Sequence, residues 1–304
     1  MKIVYAGSPE YAVAPLRALL DAGCEVVAVL TQPDRPLGRK RVLTPTPVKQ
    51  FALAAGIAVL DFVKVREHAE ELKSFGADVM ITCAYGQLLS QEILNAFPLG
   101  VYNLHASLLP KFRGASPIQS AILAGEEYTG VTVMKTELAL DCGGILLVKR
   151  CEVGGKTCGE LSAELSSLSA QAAVEAVGIL KGGEPQLLLQ DEAKVTFCKK
   201  IFKEDAAVDF KKPAAAVANL INAMSPSPAA YAFLNGGAVN LLKAAVCAGE
   251  GAGGEVIQAD KRGVVIACGE GAVLITSLQF AGGKIISAAD AVNGRKIKAG
   301  DKFD

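Results

Sequence analysis

The residues best suited to chemistry in this chain of 304 are Asn103, His105 and Asp141. Asn103 and His105 are two positions apart, so their side chains project to the same side of an extended strand. Asp141 lies in the sequence Leu-Asp-Cys-Gly-Gly, which predicts a turn between two strands. An amide, an imidazole that titrates near neutral pH and a carboxylate can together supply hydrogen bonds and move protons.

Each of these residues also has a purely structural interpretation. A single histidine is more often a hydrogen-bonded structural residue, and an aspartate before glycines usually belongs to a turn. Asn103 and His105, however, lie at the end of a strand predicted at 101–104. Open α/β sheets bind ligands beyond the carboxyl ends of their strands, so this position favours the functional interpretation.

The elements that must position these residues are short strands that alternate with helices. The predicted strands cover residues 3–6, 26–30, 79–83, 101–104, 131–136 and 146–153, and the predicted helices cover 11–22, 48–55, 67–75, 90–96, 118–124 and 159–181. This alternation predicts a mostly parallel, Rossmann-like sheet covered by helices. Continuous apolar strands such as 79–83 fit burial on both faces.

A long polar stretch, residues 32–47, interrupts this alternation. It contains four prolines and the basic run Arg39-Lys40-Arg41. Loops of this length are usually either functional or disordered. On the residues alone, a binding loop and a solvated excursion are equally supported.

The character of the chain changes after residue 181. Residues 187–204 predict an extended linker, and 214–224 predict one helix. Six short β runs follow, at 231–234, 239–246, 256–259, 264–267, 273–278 and 284–287, with turn signals such as Asn235-Gly236 between them. Strands at this spacing predict a small barrel. We therefore predict a catalytic domain at 1–186 and an OB-like barrel domain at 205–304.

The composition narrows the possible functions. The 31 basic and 31 acidic residues balance, so binding to nucleic acid or membrane would need a local patch. The eight cysteines form no C-x-x-C pair, and with two histidines a metal site is not expected. The chain shows no signal peptide and no apolar run of membrane-spanning length, which favours a cytoplasmic protein. The sequence after Gly7 is not G-x-G-x-x-G, which disfavours a dinucleotide-dependent dehydrogenase.

A family resemblance combines these residues into one pattern. The segments Asn103-x-His105, Ser-Leu-Leu-Pro at 107–110, Arg-Gly-Ala-Ser-Pro-Ile-Gln at 113–119 and Asp141-x-Gly resemble the signature of the folate-dependent formyltransferases. Segments 7–13, 31–36 and 84–86, with looser C-terminal matches, are similar to the methionyl-tRNA formyltransferase family in particular. The chain departs from that pattern at Cys142, where the family commonly has Thr or Ala, and at Gly144, where it often has Asp.

The resemblance implies transfer of a formyl group from 10-formyltetrahydrofolate to the α-amino group of methionyl-initiator tRNA, which supports translation initiation. Asn103 and His105 would stabilise the oxyanion that develops, and Asp141 would orient or charge His105 and accept the proton of the amine. Folate would lie against residues near the end of strand 79–83, with the segment after His105 as the wall between the two substrates. These residues are Ala84, Tyr85, Gly86 and Leu88, followed by Ser107, Leu108, Leu109 and Pro110.

The same resemblance implies phosphate contacts to tRNA and a barrel that supports the tRNA. The candidate residues are Arg39, Lys40, Arg41, Lys199, Lys200 and Lys203. Runs of charge are usually solvated surfaces, so charge alone does not make this assignment. A monomer is the expected state. Two alternatives remain: a formyltransferase for a small amine such as glycinamide ribonucleotide or an amino sugar, and an RNA-binding module with a degenerate catalytic domain.

Overall fold

The computed structural model describes residues 1–38 and 41–304. The strands are β1 (Lys2–Gly7), β2 (Glu25–Leu30), β3 (Arg35–Leu37), β4 (Val42–Thr44), β5 (Ala58–Leu60), β6 (Val79–Cys83), β7 (Val101–His105), β8 (Arg113–Gly114), β9 (Tyr128–Lys135), β10 (Ile145–Glu152), β11 (Phe197–Cys198), β12 (Ala230–Leu234), β13 (Gly237–Cys247), β14 (Val256–Asp260), β15 (Gly263–Ala267), β16 (Ala272–Phe280) and β17 (Ile285–Ser287). The helices are α1 (Val13–Asp21), α2 (Pro47–Ala54), α3 (Ala69–Ser74), α4 (Gln91–Leu94), α5 (Pro117–Leu123), α6 (Cys158–Lys181), α7 (Ala214–Met224) and α8 (Ala288–Asn293).

The chain divides into two compact units. Unit one contains residues 1–114, 129–151 and 162–197, and unit two contains residues 115–128, 152–161 and 198–304. Both units are therefore discontinuous in sequence. The three-part division expected from the sequence, with a linker at 187–204, remains a prediction.

Unit one is organised around a seven-stranded sheet with the order β10-β9-β7-β6-β1-β2-β5. The pairs β1–β2, β1–β6, β2–β5 and β6–β7 are parallel, and β7–β9 is antiparallel. The mostly parallel sheet predicted from the sequence is confirmed. The strand order places β6 and β7 side by side, so their carboxyl ends at Cys83 and His105 lie at the same edge.

Continuous apolar sequence explains why the central strands are buried. All five residues of β6 are buried, and so are the residues of β1 after Lys2. Gly7 is the last residue of β1, and the packing there leaves no room for a side chain. A Cβ would lie 2.8 Å from the Cβ of Ala12 and 2.9 Å from the carbonyl oxygen of Cys83. Packing therefore accounts for this glycine without a phosphate-binding role.

The polar stretch at 32–47 contains a short antiparallel hairpin that the sequence pattern did not predict. β3 and β4 pair with the register Arg35 to Thr44 and Leu37 to Val42. The two strands are only three residues long and carry a proline, so their sequence lacks a β pattern that could be recognised. Arg39 and Lys40, which follow Gly38 in sequence, lie outside the described residues.

Unit two is built on an antiparallel sheet with the order β12-β13-β16-β15-β14, and β17 pairs with β16. Helix α7 packs on this sheet, since Val217, Ile221 and Met224 are buried in one cluster with strand residues such as Leu241 and Ile275. All six predicted strands and the helix at 214–224 are present, and α8 is an element that was not predicted.

The C-terminal residues connect the two edges of this antiparallel sheet. Phe303 pairs with Leu234 of β12, and Lys302 pairs with Glu255, which precedes β14. The backbone N–H of Val256 also donates to the carbonyl oxygen of Asp301 at 2.8 Å. Both edge strands are thereby covered, as a small barrel requires.

Candidate active site at the carboxyl end of β7

His105 is the buried imidazole at the end of β7, with 5% of its surface exposed. Its Nε2 lies 2.9 Å from the carbonyl oxygen of Phe112, and a carbonyl only accepts, so Nε2 donates. Nδ1 faces the carboxylate of Asp141, with 3.7 Å between Nδ1 and Oδ2. That separation is too long for a hydrogen bond, so Nδ1 and the carboxylate are close without being bonded to each other.

Opposing effects act on the pKa of His105. Burial lowers it, because a buried imidazolium loses its hydration, and this effect is the largest. The carboxylate of Asp141 and the carbonyl of Phe112 raise it, and the net result lies below the usual value for histidine. At neutral pH the imidazole is therefore uncharged, with its proton on Nε2 and a lone pair on Nδ1.

Asn103 lies two residues before His105 on β7, and it pairs with Thr82 of the neighbouring strand β6. The hydroxyl of Thr82 donates to Oδ1 of Asn103 at 2.9 Å, and Thr82 and Asn103 are direct partners in the parallel register. With its oxygen engaged in this way, the amide presents its Nδ2 hydrogens as donors. This is the orientation that hydrogen-bond donation to a developing oxyanion requires.

Asp141, the third candidate residue, is held by backbone and side-chain contacts within unit one. The N–H of Gly114 donates to Oδ2 of Asp141 at 2.8 Å. The amide of Gln190 donates to the carbonyl oxygens of Asp141 and Gly143, at 2.8 and 2.9 Å. The φ angle of Asp141 is +49°, a conformation that only a few per cent of non-glycine residues adopt.

The two glycines after Asp141 and Cys142 are required by close packing. A Cβ on Gly143 would overlap the carbonyl oxygen of Lys135, and a Cβ on Gly144 would lie 2.8 Å from the Cβ of Leu187. The second contact explains the departure from the family pattern at Gly144, because Leu187 occupies the space that an aspartate side chain would need. Cys142 is half-buried, and its thiol lies near the carboxylate of Glu137.

The residues expected to contact folate after β6 alternate between exposed and buried positions. Ala84, Gly86 and Leu88 are exposed, whereas Tyr85 is buried in the core, so its ring does not face solvent. The carbonyl oxygen of Tyr85 accepts hydrogen bonds from the side chains of Ser8 and Gln32, which fixes this loop. Ala84 has a φ of +47° and Gly86 a φ of +83°.

The segment after β7, expected to form a wall of the site, is fixed by hydrogen bonds. The hydroxyl of Thr132 donates to the carbonyl of Ser107 and accepts from the N–H of Leu109. Ser107 and Leu109 are buried, and Leu108 and Pro110 are half-buried. The segment that follows His105 is therefore held against Thr132 of β9.

The basic residues expected to contact tRNA are exposed where the structure describes them. Arg41 is exposed in unit one, and Lys199, Lys200 and Lys203 are exposed in unit two. The Nζ of Lys200 lies 5.6 Å from the ring centroid of Phe202, within the range of a cation–π contact. Arg39 and Lys40 are outside the described part of the chain.

Comparison with known proteins decides the family. A family model described as "Formyl transferase" matches residues 1–177, and a second, "Formyl transferase, C-terminal domain", matches residues 200–296. This chain belongs to the formyl transferase family.

Members of the family with curated names match along nearly the whole chain. A methionyl-tRNA formyltransferase of Pseudomonas fluorescens is 42% identical over 301 residues, which cover 98% of this chain and 94% of the relative. A protein of the same name from Chromobacterium violaceum is 42% identical over 100% of this chain and 99% of its own length. Another, from Stutzerimonas stutzeri, is 44% identical over 97% of this chain and 95% of its own length.

Solved structures with low sequence identity share the fold. HypX from Aquifex aeolicus in complex with tetrahydrofolic acid is 18% identical, with a TM-score of 0.68 over 96% of this chain and 47% of HypX. An N-formyltransferase from Helicobacter canadensis is also 18% identical, with a TM-score of 0.67 over 90% of this chain and 98% of that one. At this identity the likeness supports the formyl transferase fold and no more.

Two residues of the site escaped the sequence analysis as functional candidates. Gln190 lies in a segment without periodicity that was predicted to be a linker, so nothing in its surroundings indicated a contact with the Asp141 turn. Arg113 was part of the family signature, but its side chain received no role. In the structure its guanidinium is 4% exposed and therefore requires polar partners, but the sequence alone does not indicate that burial.

The described residues offer neither a cluster of metal ligands nor a membrane-spanning helix. Within residues 1–38 and 41–304, no group of three or more His, Cys, Asp or Glu side chains could hold a metal ion. Over the same residues, no helix combines the length and hydropathy needed to cross a membrane.

Proposed function

We propose that this chain transfers the formyl group of 10-formyltetrahydrofolate to the α-amino group of methionyl-initiator tRNA. The observation that carries this proposal is the assembly of Asn103, His105 and Asp141 at the carboxyl end of β7, in a chain whose full-length relatives are named methionyl-tRNA formyltransferases. The folate compound is the co-substrate that supplies the formyl group.

Formyl transfer requires stabilisation of negative charge and movement of one proton. Attack of the amine on the formyl carbon forms a C–N bond and places charge on the formyl oxygen, toward which the N–H groups of Asn103 are available. The amine must then lose a proton, and the departing folate nitrogen must gain one. His105 is uncharged at neutral pH, so Nδ1 can accept the proton of the amine and then return it to the leaving nitrogen.

Asp141 stabilises the charged form of His105 during this exchange. The carboxylate lies 3.7 Å from Nδ1, and it raises the pKa of an imidazole that burial would otherwise hold lower still. The N–H of Gly114 fixes the carboxylate by donating to Oδ2. Nε2 keeps its proton throughout and donates it in a hydrogen bond to the carbonyl of Phe112, which holds the ring in a single orientation.

We place the folate beside the loop that follows β6. Ala84 and Gly86 are exposed there with positive φ angles, and a non-glycine residue such as Ala84 adopts this conformation only where its surroundings impose it. Ala84, Gly86 and Leu88 would contact the ligand, whereas Tyr85 contributes by fixing the loop from the core side.

The acceptor is assigned to tRNA because of the exposed hairpin of unit one. Leu37, Val42 and Leu43 are 59%, 58% and 66% exposed, and Arg41 beside them is exposed too. A small amine would need no such projection, whereas phosphate groups and unpaired bases of an RNA would be bound by basic and apolar side chains together. Arg39 and Lys40 are proposed as phosphate ligands on the sequence alone, and Lys199, Lys200 and Lys203 of unit two are proposed as phosphate ligands separately.

We also propose that the protein is a cytoplasmic monomer. None of the eight cysteines, all of which lie among the described residues, takes part in a disulfide, as is usual in a reducing compartment. Sedimentation equilibrium over a range of concentrations tests the monomer: a single mass near 31.5 kDa is expected, and a dimer would contradict it.

The test is formyl transfer from radiolabelled 10-formyltetrahydrofolate to three acceptors in parallel: methionyl-initiator tRNA, the same tRNA without its amino acid, and glycinamide ribonucleotide. Product is expected with the charged tRNA alone. Product with the small amine alone would contradict the tRNA assignment, and absence of product with every acceptor would favour an RNA-binding module without catalytic activity. Asp141→Asn serves as the catalytic control in each reaction.

A further inference from the structure

The side chain of Gln190 makes four hydrogen bonds that join the Asp141 turn to Arg113. Its Nε2 donates to the carbonyl oxygens of Asp141 and Gly143, at 2.8 and 2.9 Å. Its Oε1 accepts from Nε and Nη2 of Arg113, at 3.1 and 2.8 Å. Both hydrogens of the amide group and its oxygen are therefore used, and this arrangement permits only one orientation of the side chain.

Arg113 is itself held by burial and by an ion pair. Its guanidinium is buried, and it pairs with the carboxylate of Glu192 at 2.7 Å. The next residue, Gly114, supplies the N–H that holds Oδ2 of Asp141. Strand β8 thus contacts the Asp141 turn in two ways. The N–H of Gly114 binds the carboxylate directly, and the side chain of Arg113 binds Gln190, which binds the turn.

The Asp141 turn needs such support because of its backbone conformation. A φ of +49° is unfavourable for a residue with a Cβ and persists only where the surroundings determine it. The two carbonyl groups bound by Gln190 flank the turn, so the glutamine fixes the peptide units that carry the Asp141 side chain. Without it, the N–H of Gly114 would be the one hydrogen-bond donor among the described residues that holds this part of the turn.

We propose that Gln190 is a positioning residue, which holds the Asp141 turn so that the carboxylate faces Nδ1 of His105. This inference rests on the proposed function, since it assumes that the separation between Asp141 and His105 matters for proton transfer. It assigns a catalytic contribution to residues 187–197, which the sequence pattern indicated only as a linker. Gln190 does not itself touch the reacting atoms.

The test replaces Gln190 by Met, which keeps the length of the side chain and removes its hydrogen bonds. Two readouts are measured: the titration of His105 by NMR and the split between kcat and KM in formyl transfer. The chain has two histidines, so the imidazole signals are assigned by comparison with His68→Gln. Among the described charged groups, Asp141 is the one that raises the pKa of His105, so loss of the positioned carboxylate lowers that pKa.

The matched control is Gln279→Met in unit two. Gln279 also links a side chain to a turn, since it accepts from Nδ2 of Asn240 and donates to the carbonyl of Gly283. The same substitution there is expected to change neither readout. Far-ultraviolet circular dichroism establishes that each variant is folded, and Gln190→Asn, too short to span both partners, replaces Gln190→Met if that variant is not.

For Gln190→Met we expect the pKa of His105 to fall, in the same direction as in Asp141→Asn. We also expect kcat to fall on the order of ten- to a hundred-fold, with KM for both substrates unchanged. An unchanged titration, or a lowered pKa with unchanged kcat, would overturn the proposal. The titration needs no substrate, so it remains decisive if the wild-type protein formylates no acceptor, a result that would instead overturn the proposed function.

Discussion

The candidate active site and the hairpin β3–β4 belong to the same unit but are built in opposite ways. His105 is buried and donates to the carbonyl oxygen of Phe112, and the N–H of Gly114 holds the carboxylate of Asp141. The hairpin consists of two three-residue strands whose apolar side chains are exposed. The difference separates two tasks: preorganised polar groups act on the transition state, whereas an exposed surface can only contribute binding.

The base of the hairpin is nevertheless anchored. Lys49 of α2 lies between Asp34 and Asp61, with Nζ–carboxylate distances of 2.7 and 2.8 Å. The hydroxyl of Thr46 caps α2 by accepting from the N–H of Lys49 and is also bonded to the hydroxyl of Thr31. The exposed part therefore begins from a defined position, although its apolar side chains are exposed.

The largest effect is expected from His105→Gln, which removes the proposed proton carrier. General acid–base catalysis contributes about 10²–10⁴-fold, so kcat should fall by that order while KM for tRNA stays near the wild-type value. Steady-state kinetics with methionyl-initiator tRNA measure both constants. His68→Gln is the matched control, because it removes the other imidazole of the chain. That ring stacks on Phe62, with 3.8 Å between the ring centroids. Similar kcat values for the two variants would remove His105 from the mechanism.

A smaller and different effect is expected from Arg41→Ala in the hairpin. KM for tRNA should rise several-fold, kcat should remain unchanged, and the slope of log affinity against log salt concentration should decrease by about 1. Arg66→Ala removes another exposed arginine of the same unit and should leave the salt slope as it is. A fall in kcat without a change in KM would contradict the separation of tasks.

A change of stability without a large change of rate is expected from Lys49→Met, which breaks the anchor of the hairpin. Half-exposed ion pairs contribute about 1 kcal/mol or less, so the unfolding temperature of unit one should decrease by about 2–4 °C. Lys194→Met, which removes a surface pair with Asp191, should change it less. Differential scanning calorimetry compares the two variants. Equal unfolding temperatures would show that Lys49 does not anchor the hairpin.

The smallest effect is a pH dependence of stability that originates at His105. Burial lowers the pKa of the folded imidazole below its usual 6.5, so the unfolded chain binds this proton first as the pH falls. The free energy of unfolding should therefore decrease as the pH falls below about 6.5, until the folded imidazole titrates as well. Urea unfolding at several pH values measures this slope. His105→Gln should reduce the slope, and an unreduced slope would assign it to other groups.

Most of the fold was predictable because periodicity and turn signals report local structure. The strand at 79–83 matches β6, and the helix at 214–224 matches α7, because an unbroken apolar run and a terminating Ser-Pro leave little ambiguity. The hairpin β3–β4, the edge strand β5 and the helix α8 were missed. These elements are three to six residues long, which is too short for a periodic pattern to emerge.

The site was predictable only as far as family patterns reach. Spacing placed Asn103 and His105 on one side of a strand end, and resemblance added Asp141. Neither could reveal that Gln190 and Arg113 hold the Asp141 turn, because such contacts join residues far apart in sequence. Nor could spacing show that Nε2 of His105 is bound to the Phe112 carbonyl, which leaves Nδ1 as the nitrogen open to exchange a proton.

The most direct measurement is the single-turnover rate of formyl transfer at saturating methionyl-initiator tRNA, compared between Asp141→Asn and Arg41→Ala. Saturation removes differences in affinity, so only the chemical step is observed. The carboxylate beside His105 predicts a rate at least about ten-fold below wild type for Asp141→Asn and a wild-type rate for Arg41→Ala. A near-normal rate for Asp141→Asn would contradict the assignment of the reaction to this site.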